Sequence, residues 1–245
     1  MSYFNIIKLD ATASSNDWLK NKFLSGDCYD GDVIWVADQT KGRGQRDRTW
    51  QSEPLKNLTF SLFKYFPNLS VKKSFLINCA ITLAIIHALK EIANIDLALK
   101  WPNDILSGNN KIGGVLIENM IKGNQIAGSI IGVGINVNQT NFKGLPGASS
   151  IFLKTGTEFD LGPVLDRILK FSHNYLEKLS NNDKSGLLSQ YEKMLFQKGR
   201  VLFFRDQKGV FEGKVLGVTG NGLLEVQKTS GEILSYPHGA IEMIF

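Results

Sequence analysis

Cysteine is scarce, with only Cys28 and Cys79 in 245 residues. The two form no CxxC pair and have no histidine cluster near them in sequence. Neither a disulfide scaffold nor a zinc site is expected, and a reducing compartment, the cytosol, fits best. The start, MSYFNIIKLDATASSN, lacks a basic segment, an apolar stretch and a small-residue cleavage site. Long hydrophobic runs are missing too. The most apolar stretch, Phe75 to Ile92, is broken by Asn78, Thr82, His87, Lys90 and Glu91 and reads as a buried helix, so no membrane association is expected. No dense Lys/Arg run accompanies the net charge of +5 and the pI near 9.1. That balance suits an anionic ligand such as a nucleotide, or an acidic protein partner, better than it suits nucleic acid. The common phosphate-binding fingerprints are absent as well. There is no GxxxxGK(S/T), and neither Gly42-Arg43-Gly44 nor Gly132-Val133-Gly134 completes GxGxxG, so a nucleotide would have to be held by another device.

What is present is ordinary for a globular protein, with 43% hydrophobic and 21% charged residues. The length suits one large domain and a small appended one. Ser14 and Ser15 can cap a helix running to about Leu24, with Trp18 and Leu19 facing inward. Asp32–Gln39 and Leu58–Tyr65 read as strands, the second ended by Pro67. Leu97–Trp101 reads as a short strand stopped at Pro102, which cannot supply the next donor. Ile112–Glu118 and Ile126–Val137 read as strands joined by a turn at Lys122-Gly123-Asn124. Helices are expected around Leu161–Leu179 and Lys184–Phe196. From about Lys198 the texture changes to short β-rich runs (Arg200–Phe204, Val210–Val218, Leu223–Gln227, Ile233–Tyr236) separated by Gly- and Asn-bearing turns, as in a small antiparallel barrel or sandwich. The expected division is therefore 1–197 and 198–245, and the mixed pattern argues for an α+β fold.

Four constellations carry possible chemistry. In Gln39-Thr40-Lys41-Gly42-Arg43-Gly44-Gln45-Arg46-Asp47-Arg48-Thr49-Trp50, four cations lie within eight residues. The glycines let a backbone approach a ligand, arginines clamp phosphate oxygens and an indole offers a face to a base. A solvated basic loop is the plain alternative. Lys100-Trp101-Pro102-Asn103-Asp104 places an amide and a carboxylate at a strand end, where Asp104 suits Mg²⁺, a ribose or an amine; a bare Asn-Asp turn is the alternative. Lys111-Ile112-Gly113-Gly114 begins seven residues after Asp104 and suggests a backbone close to a ligand, or simply a surface lysine before a strand. Gly132-Val133-Gly134-Ile135-Asn136-Val137 puts glycines and an amide inside an apolar strand. Close approach of another group is the usual reason for such glycines, and the buried amide needs a partner.

Taken in order, SSN (14–16), QTxGRG (39–44) with Trp50, KWPND (100–104), KIGG (111–114) and GVGINV (132–137) resemble the biotin protein ligases, over the chain from about residue 8 onward. The resemblance implies a catalytic domain related to class II aminoacyl-tRNA synthetases, followed by a small C-terminal β-barrel. It implies ATP and biotin as substrates, Mg²⁺ as a cofactor and a biotinyl-5'-adenylate intermediate. The acceptor would be a lysine on a biotin carboxyl carrier domain of a carboxylase. By position, Ser14, Ser15 and Gln39 would bind the ureido ring, Gly42 and Arg43 would line that site through their backbone, and Gly114 and Gly134 would make room for the valeryl chain. Arg46 and Arg48 would meet phosphate, Trp50 would cover the adenine, and Asn103 and Asn136 would fix the nucleotide. Lys111 would lie between the biotin carboxylate and the α-phosphate, and Asp104 would place Mg²⁺ or the incoming amine. Catalysis would thus rest on Lys111, Arg48 and Asp104.

Two positions depart from the family pattern. Many relatives carry another basic residue where this chain has Gln45, and a glycine where it has Asp47. The loop is less cationic as a result, and looser retention of the adenylate is expected. A lipoate or octanoyl ligase of the same superfamily is the nearest rival. A repressor is a more distant one, because SSN begins at residue 14 and leaves no room before it for a helix-turn-helix. A module that only holds biotin is the third. A homodimer through the strands around Gly113–Val137, as in some relatives, is a further possibility.

Overall fold

The computed structural model describes residues 3–46, 48–181 and 186–244. Its larger sheet has seven strands in the order β1-β2-β3-β7-β6-β5-β4. β1 (Asn5–Thr12) and β2 (Asp32–Gln39) are parallel, joined by the crossover helix α1 (Ser15–Leu24). Ser14 is its N-cap, the hydroxyl accepting the Asp17 N–H at 3.3 Å, so the SSN motif is a helix start. Leu19 is fully buried as expected, and Trp18 packs at the margin of the same cluster.

β3 (Leu58–Ser70), β6 (Asn110–Lys122) and β7 (Gln125–Ile135) are long and antiparallel to one another through β7. β3 was expected to end at Pro67, but it continues through it. The register slips between Tyr65 and Leu69, so proline's missing N–H falls where no regular ladder bond is required. β4 (Ala98–Lys100) and β5 (Asp104–Ser107) form a hairpin whose turn is Trp101-Pro102-Asn103, with a cis Trp101–Pro102 bond.

Strand alternation divides the sheet into two faces. Val115, Ile117, Ile131, Val133 and Ile135 pack on one side with α2 (Phe75–Ile92), α4 (Leu161–Ser180) and α5 (Leu187–Lys193). Phe63 and Ile130 pack on the other side with Leu19 of α1. By the two-residue period, Gly114, Leu116, Glu118, Gly132 and Gly134 belong to the α1 side. The α2 stretch Val71–Ile92 is apolar and long enough to cross a membrane, but 72% of its most apolar window is buried inside the fold.

The helix expected around Lys184–Phe196 is α5. It stops at Lys193, and Lys184 lies outside the described residues. Beyond it the chain straightens and pairs with β4. Leu99 donates to the Met194 carbonyl at 2.7 Å, and Phe196 donates to the Leu99 carbonyl at 2.8 Å. A short helix, α3 (Ile151–Thr155), was not foreseen.

The smaller sheet contains β8 (Val201–Asp206), β9 (Gly209–Val218), β10 (Leu224–Lys228), β11 (Ile233–Tyr236) and β12 (Glu242–Ile244), in the order β11-β10-β9-β8-β12. All its pairings are antiparallel; among the described residues it is a five-stranded sheet, with no pairing that closes it into a barrel. Its inner residues Phe204, Val215, Val226 and Tyr236 join the same buried cluster as the α2 side of the large sheet.

Candidate functional site

A cleft of about 750 Å³ opens between the two sheets, within the usual range for a small-molecule site. Of the residues singled out in the sequence, Ser14, Ser15, Gln39, Arg43, Arg46, Arg48, Trp50, Asn103, Asp104, Lys111, Gly114 and Gly134 line it. Gly42 and Asn136 do not.

One end is a polar network on the α1 side of the large sheet. The buried start of α1 aims Ser15 at β2, and Gln39 Oε1 accepts from the Ser15 N–H at 2.9 Å and from its hydroxyl at 3.0 Å. Ser61 of β3 donates to Ser15 Oγ at 2.7 Å or to Asn16 Oδ1 at 2.6 Å. A planar ligand with donors and acceptors on opposite sides can exchange into such a network, whereas a purely apolar one would leave it unpaired.

The other end is cationic. Arg46, Arg48, Lys100 and Lys111 all face the cleft. Burial, with Lys111 and Arg48 nearby, holds the Lys100 ammonium below its usual pKa of 10.5, against the opposing pull of Asp104. An anion entering here would relieve that crowding. Lys111 Nζ lies 2.6 Å from Asp104 Oδ1, a pair brought together because Asp104 opens β5 and faces Gly114 across the ladder.

The loop 41–50 folds back as a small hairpin. Gly44 donates to the Arg48 carbonyl at 2.6 Å and Trp50 donates to the Gly42 carbonyl at 2.9 Å. The hairpin lays the Trp50 indole on Gly134, where an added Cβ would come within 2.6 Å of Cζ2 and 2.8 Å of Nε1. The space above Gly134, assigned in sequence to an apolar ligand chain, is thus taken by the indole. Trp50 Nε1 is buried with no hydrogen-bond partner among the described residues, and Lys111 Nζ stands 5.7 Å from the ring centre. A ligand acceptor at Nε1 would satisfy this orphan donor.

Three expected positions have hydrogen-bond partners within the protein. Arg46 donates to the His238 carbonyl in the connection between β11 and β12. Asn103 spends its side-chain amide on the Val115 carbonyl, while its own carbonyl accepts the Val115 N–H at 3.2 Å. Asn136 is outside the cleft lining and 4% exposed, donating to the Ser149 carbonyl at 2.9 Å, and its Oδ1 has no hydrogen-bond partner among the described residues. Asp47 lies outside the described residues.

Sequence reasoning missed Ser61, Glu118 and the contribution of the small sheet, which supplies Arg205, His238 and Glu242 to the wall. Ser61 and Glu118 are polar residues inside apolar strands, a signal that was present. The wall residues lie far along the chain from every motif and left none.

A family model described as the biotin/lipoate A/B protein ligase family matches residues 9–136. The bifunctional ligase/repressor BirA of Bacillus subtilis is 27% identical over 225 residues, covering 89% of this chain and 68% of its own. A biotin–[acetyl-CoA-carboxylase] ligase of Mycobacterium tuberculosis is 27% identical over 164 residues, covering 65% of this chain and 59% of its own. Among solved structures, the biotin protein ligase from Aquifex aeolicus in complex with biotin and ATP superposes with a TM-score of 0.81 at 27% identity, covering 98% of both chains. The matched stretch runs from β1 to the end of the GVGIN segment, spanning the loop, the KWPND turn and Lys111, and the likeness in fold extends through the smaller sheet. The chain belongs to the biotin/lipoate A/B protein ligase family and is a ligase.

Proposed function

We propose that the chain attaches biotin to a lysine of a biotin carboxyl carrier domain, through a biotinyl-5'-adenylate. The observation that carries this reading is one cleft with a hydrogen-bonding end at Ser15 and Gln39, backed by the buried Ser61, a cationic end at Arg48 and Lys100, and Lys111 between them. The relatives named above, one of them solved with biotin and ATP, support it.

In this reading Ser14, Ser15, Gln39 and the Gly42–Arg43 backbone hold the ureido ring, and the valeryl chain runs toward Gly114 beneath the Trp50 indole that packs on Gly134. The carboxylate meets Lys111 beside the α-phosphate. Attack of a carboxylate oxygen on phosphorus breaks the bond to pyrophosphate, and the cations Lys111 and Arg48 offset the repulsion between the two anions. Trp50 and the loop cover the mixed anhydride and exclude water. A neutral lysine amine of the carrier then attacks the acyl carbon, AMP departs, and the amine's proton is lost with Asp104 orienting the nucleophile. Arg46 and Asn103 serve the nucleotide side. Asn136 would act through the backbone near Ser149, to whose carbonyl its amide donates.

Asp104 also suits Mg²⁺. Among the described residues no cluster of three or more His, Cys, Asp or Glu side chains is present. Magnesium needs only one or two protein carboxylates when phosphates complete its shell, so the single Asp104 fits. The ion, when bound, would neutralise phosphate charge. We place the unit carrying this chemistry in residues 1–197 and the wall-forming unit in 198–245. Beyond Gly114, β6 has no strand partner on its β5 side among the described residues, an edge along which a second copy could pair. The proposed compartment is the cytoplasm.

Mass spectrometry after incubation with ATP, Mg²⁺, biotin and a carrier domain tests the reading. A biotin-sized increase on the carrier lysine supports it. Transfer of lipoate in place of biotin, or no transfer to any carrier, refutes it.

A further inference from the structure

Two residues of the cleft motifs have no part in the chemistry above, Asn16 at the end of SSN and Gly132 at the start of GVG. They fit each other. A Cβ on Gly132 would land on the Asn16 amide, 3.0 Å from Cγ and nearer still to Oδ1. Asn16 is 3% exposed, its Oδ1 accepts the Ser61 hydroxyl at 2.6 Å, and its Nδ2 donates to Glu118 Oε2 at 2.8 Å. The same Oε2 accepts from Arg43 Nη2 at 2.7 Å, and Asp17 Oδ1 stands 2.7 Å from that nitrogen. Lys20 approaches the other Glu118 oxygen at 3.7 Å. Two carboxylates and two cations therefore balance, and Arg43, in the middle of Gly42-Arg43-Gly44, is the only member of this set that comes from the loop.

We infer that Glu118 is a positioning residue. It fixes the Arg43 side chain, and so holds the Gly42–Gly44 backbone over the Ser15–Gln39 end of the cleft. The inference rests on the proposed reading of that end as the site of the biotin ureido ring. The geometry favours Glu118 over Asp17 as the main anchor. Glu118 is the less exposed of the two, 22% against 47%, and a buried amide orients its oxygen toward the loop. Without Glu118, Asn16 Nδ2 keeps only its 3.4 Å contact with the Leu116 carbonyl.

The test compares Glu118→Gln and Asp17→Asn with wild type in two assays, biotin-dependent ATP–pyrophosphate exchange and trypsin cleavage within the loop at Arg46 and Arg48. Glu118→Gln should raise KM for biotin roughly tenfold, the scale of losing one charge-assisted contact, with KM for ATP nearly unchanged. It should also speed cleavage of the ligand-free loop. Asp17→Asn should move both in the same direction by less, and its exposed position keeps folding out of question. Equal rises in KM for biotin and ATP, or wild-type KM and wild-type trypsin resistance in Glu118→Gln, would overturn the inference. If wild type shows no exchange at all, the proposed function fails; the trypsin assay, which uses no substrate, still decides whether Glu118 holds the loop.

Discussion

Replacing Gly134 with alanine isolates the closest packing in the cleft. The new Cβ would stand 2.6 Å from Trp50 Cζ2 and 2.8 Å from Nε1. Comfortable carbon contacts are about 3.5–4.0 Å, so one side must retreat by roughly 1 Å. The strand cannot, because β7 is bonded on both sides there, with Thr59 opposite Gly134 on β3 and Gly114 opposite it on β6. The indole is rigid, so the loop has to lift. Overpacking of this kind costs about 1–3 kcal/mol, which corresponds to about a 5- to 150-fold loss of the docked loop. Gly114→Ala is the internal control. Its Cβ would lie 3.3 Å from Lys111 Cε and Nζ and 3.5 Å from Asp104 Oδ1, contacts that a flexible lysine tip can relieve by a few tenths of an ångström. Gly134→Ala should strongly slow single-turnover pyrophosphate release and strongly speed loop proteolysis, whereas Gly114→Ala should change loop proteolysis only mildly. Equal behaviour of the two variants, or a wild-type Gly134→Ala, would refute the account of Trp50 as the cover of this strand.

Three further outcomes follow from other parts of the cleft. Lys111→Ala should cut adenylate formation by roughly 10²-fold or more, the scale for losing a preorganised charge, and near-normal pyrophosphate release would count against its role. Gln45→Arg should slow dissociation of the adenylate by restoring a cation to the loop; an unchanged off-rate sinks that idea. His238 is held below its ordinary pKa of 6.5, first by burial and then by Arg46. Both folded and unfolded forms are neutral above pH 6.5, while below it the unfolded chain takes up the proton first, so stability should fall as pH drops from 6.5. His238→Asn, which keeps the backbone carbonyl that Arg46 uses, should flatten the decline in Tm between pH 7.5 and 5.5. His87 is shifted in the same direction by burial, so some decline should persist; an unaltered slope would remove His238 from the explanation.

What could be read from sequence follows from how local each signal was. The α2 helix was found at its observed limits because Phe75–Ile92 is the most apolar stretch of the chain. The SSN cap was found because the Ser14 hydroxyl acts within three residues. The glycines of β6 and β7 were noticed as anomalies in apolar strands, but what they admit needed the fold: an indole at Gly134 and an asparagine amide at Gly132. Asn136 was noticed in the same way, and only the fold shows that its amide donates to the Ser149 carbonyl. β1 escaped notice because, as an edge strand, it turns only Ile7 and Leu9 toward the α1 core. The three-residue β12 is too short to show a period.

The position of the small sheet explains why its residues belong to the cleft rather than merely adjoining it. The KWPND turn is gripped from three sides. Tyr191 of α5 donates to the Pro102 carbonyl at 2.8 Å, Asn78 of α2 donates to the same carbonyl, and Trp101 Nε1 donates to the Gly222 carbonyl at 3.1 Å. Glu192, next to Tyr191, accepts the Val218 N–H at 2.8 Å and pairs with Lys198 at 3.0 Å, tying α5 to β9. A shift of the small sheet therefore pulls on the turn that carries Asp104. It pulls on the loop as well, because Arg46, in a left-handed conformation at φ 55°, reaches the His238 carbonyl. That backbone conformation is costly for a residue with a side chain and persists only where the surroundings over-determine it. The loop is thus fastened twice, by Arg43 to α1 and β6 and by Arg46 to the small sheet. Arg48 faces the cleft beside them, so an anion can be met there without breaking either fastening.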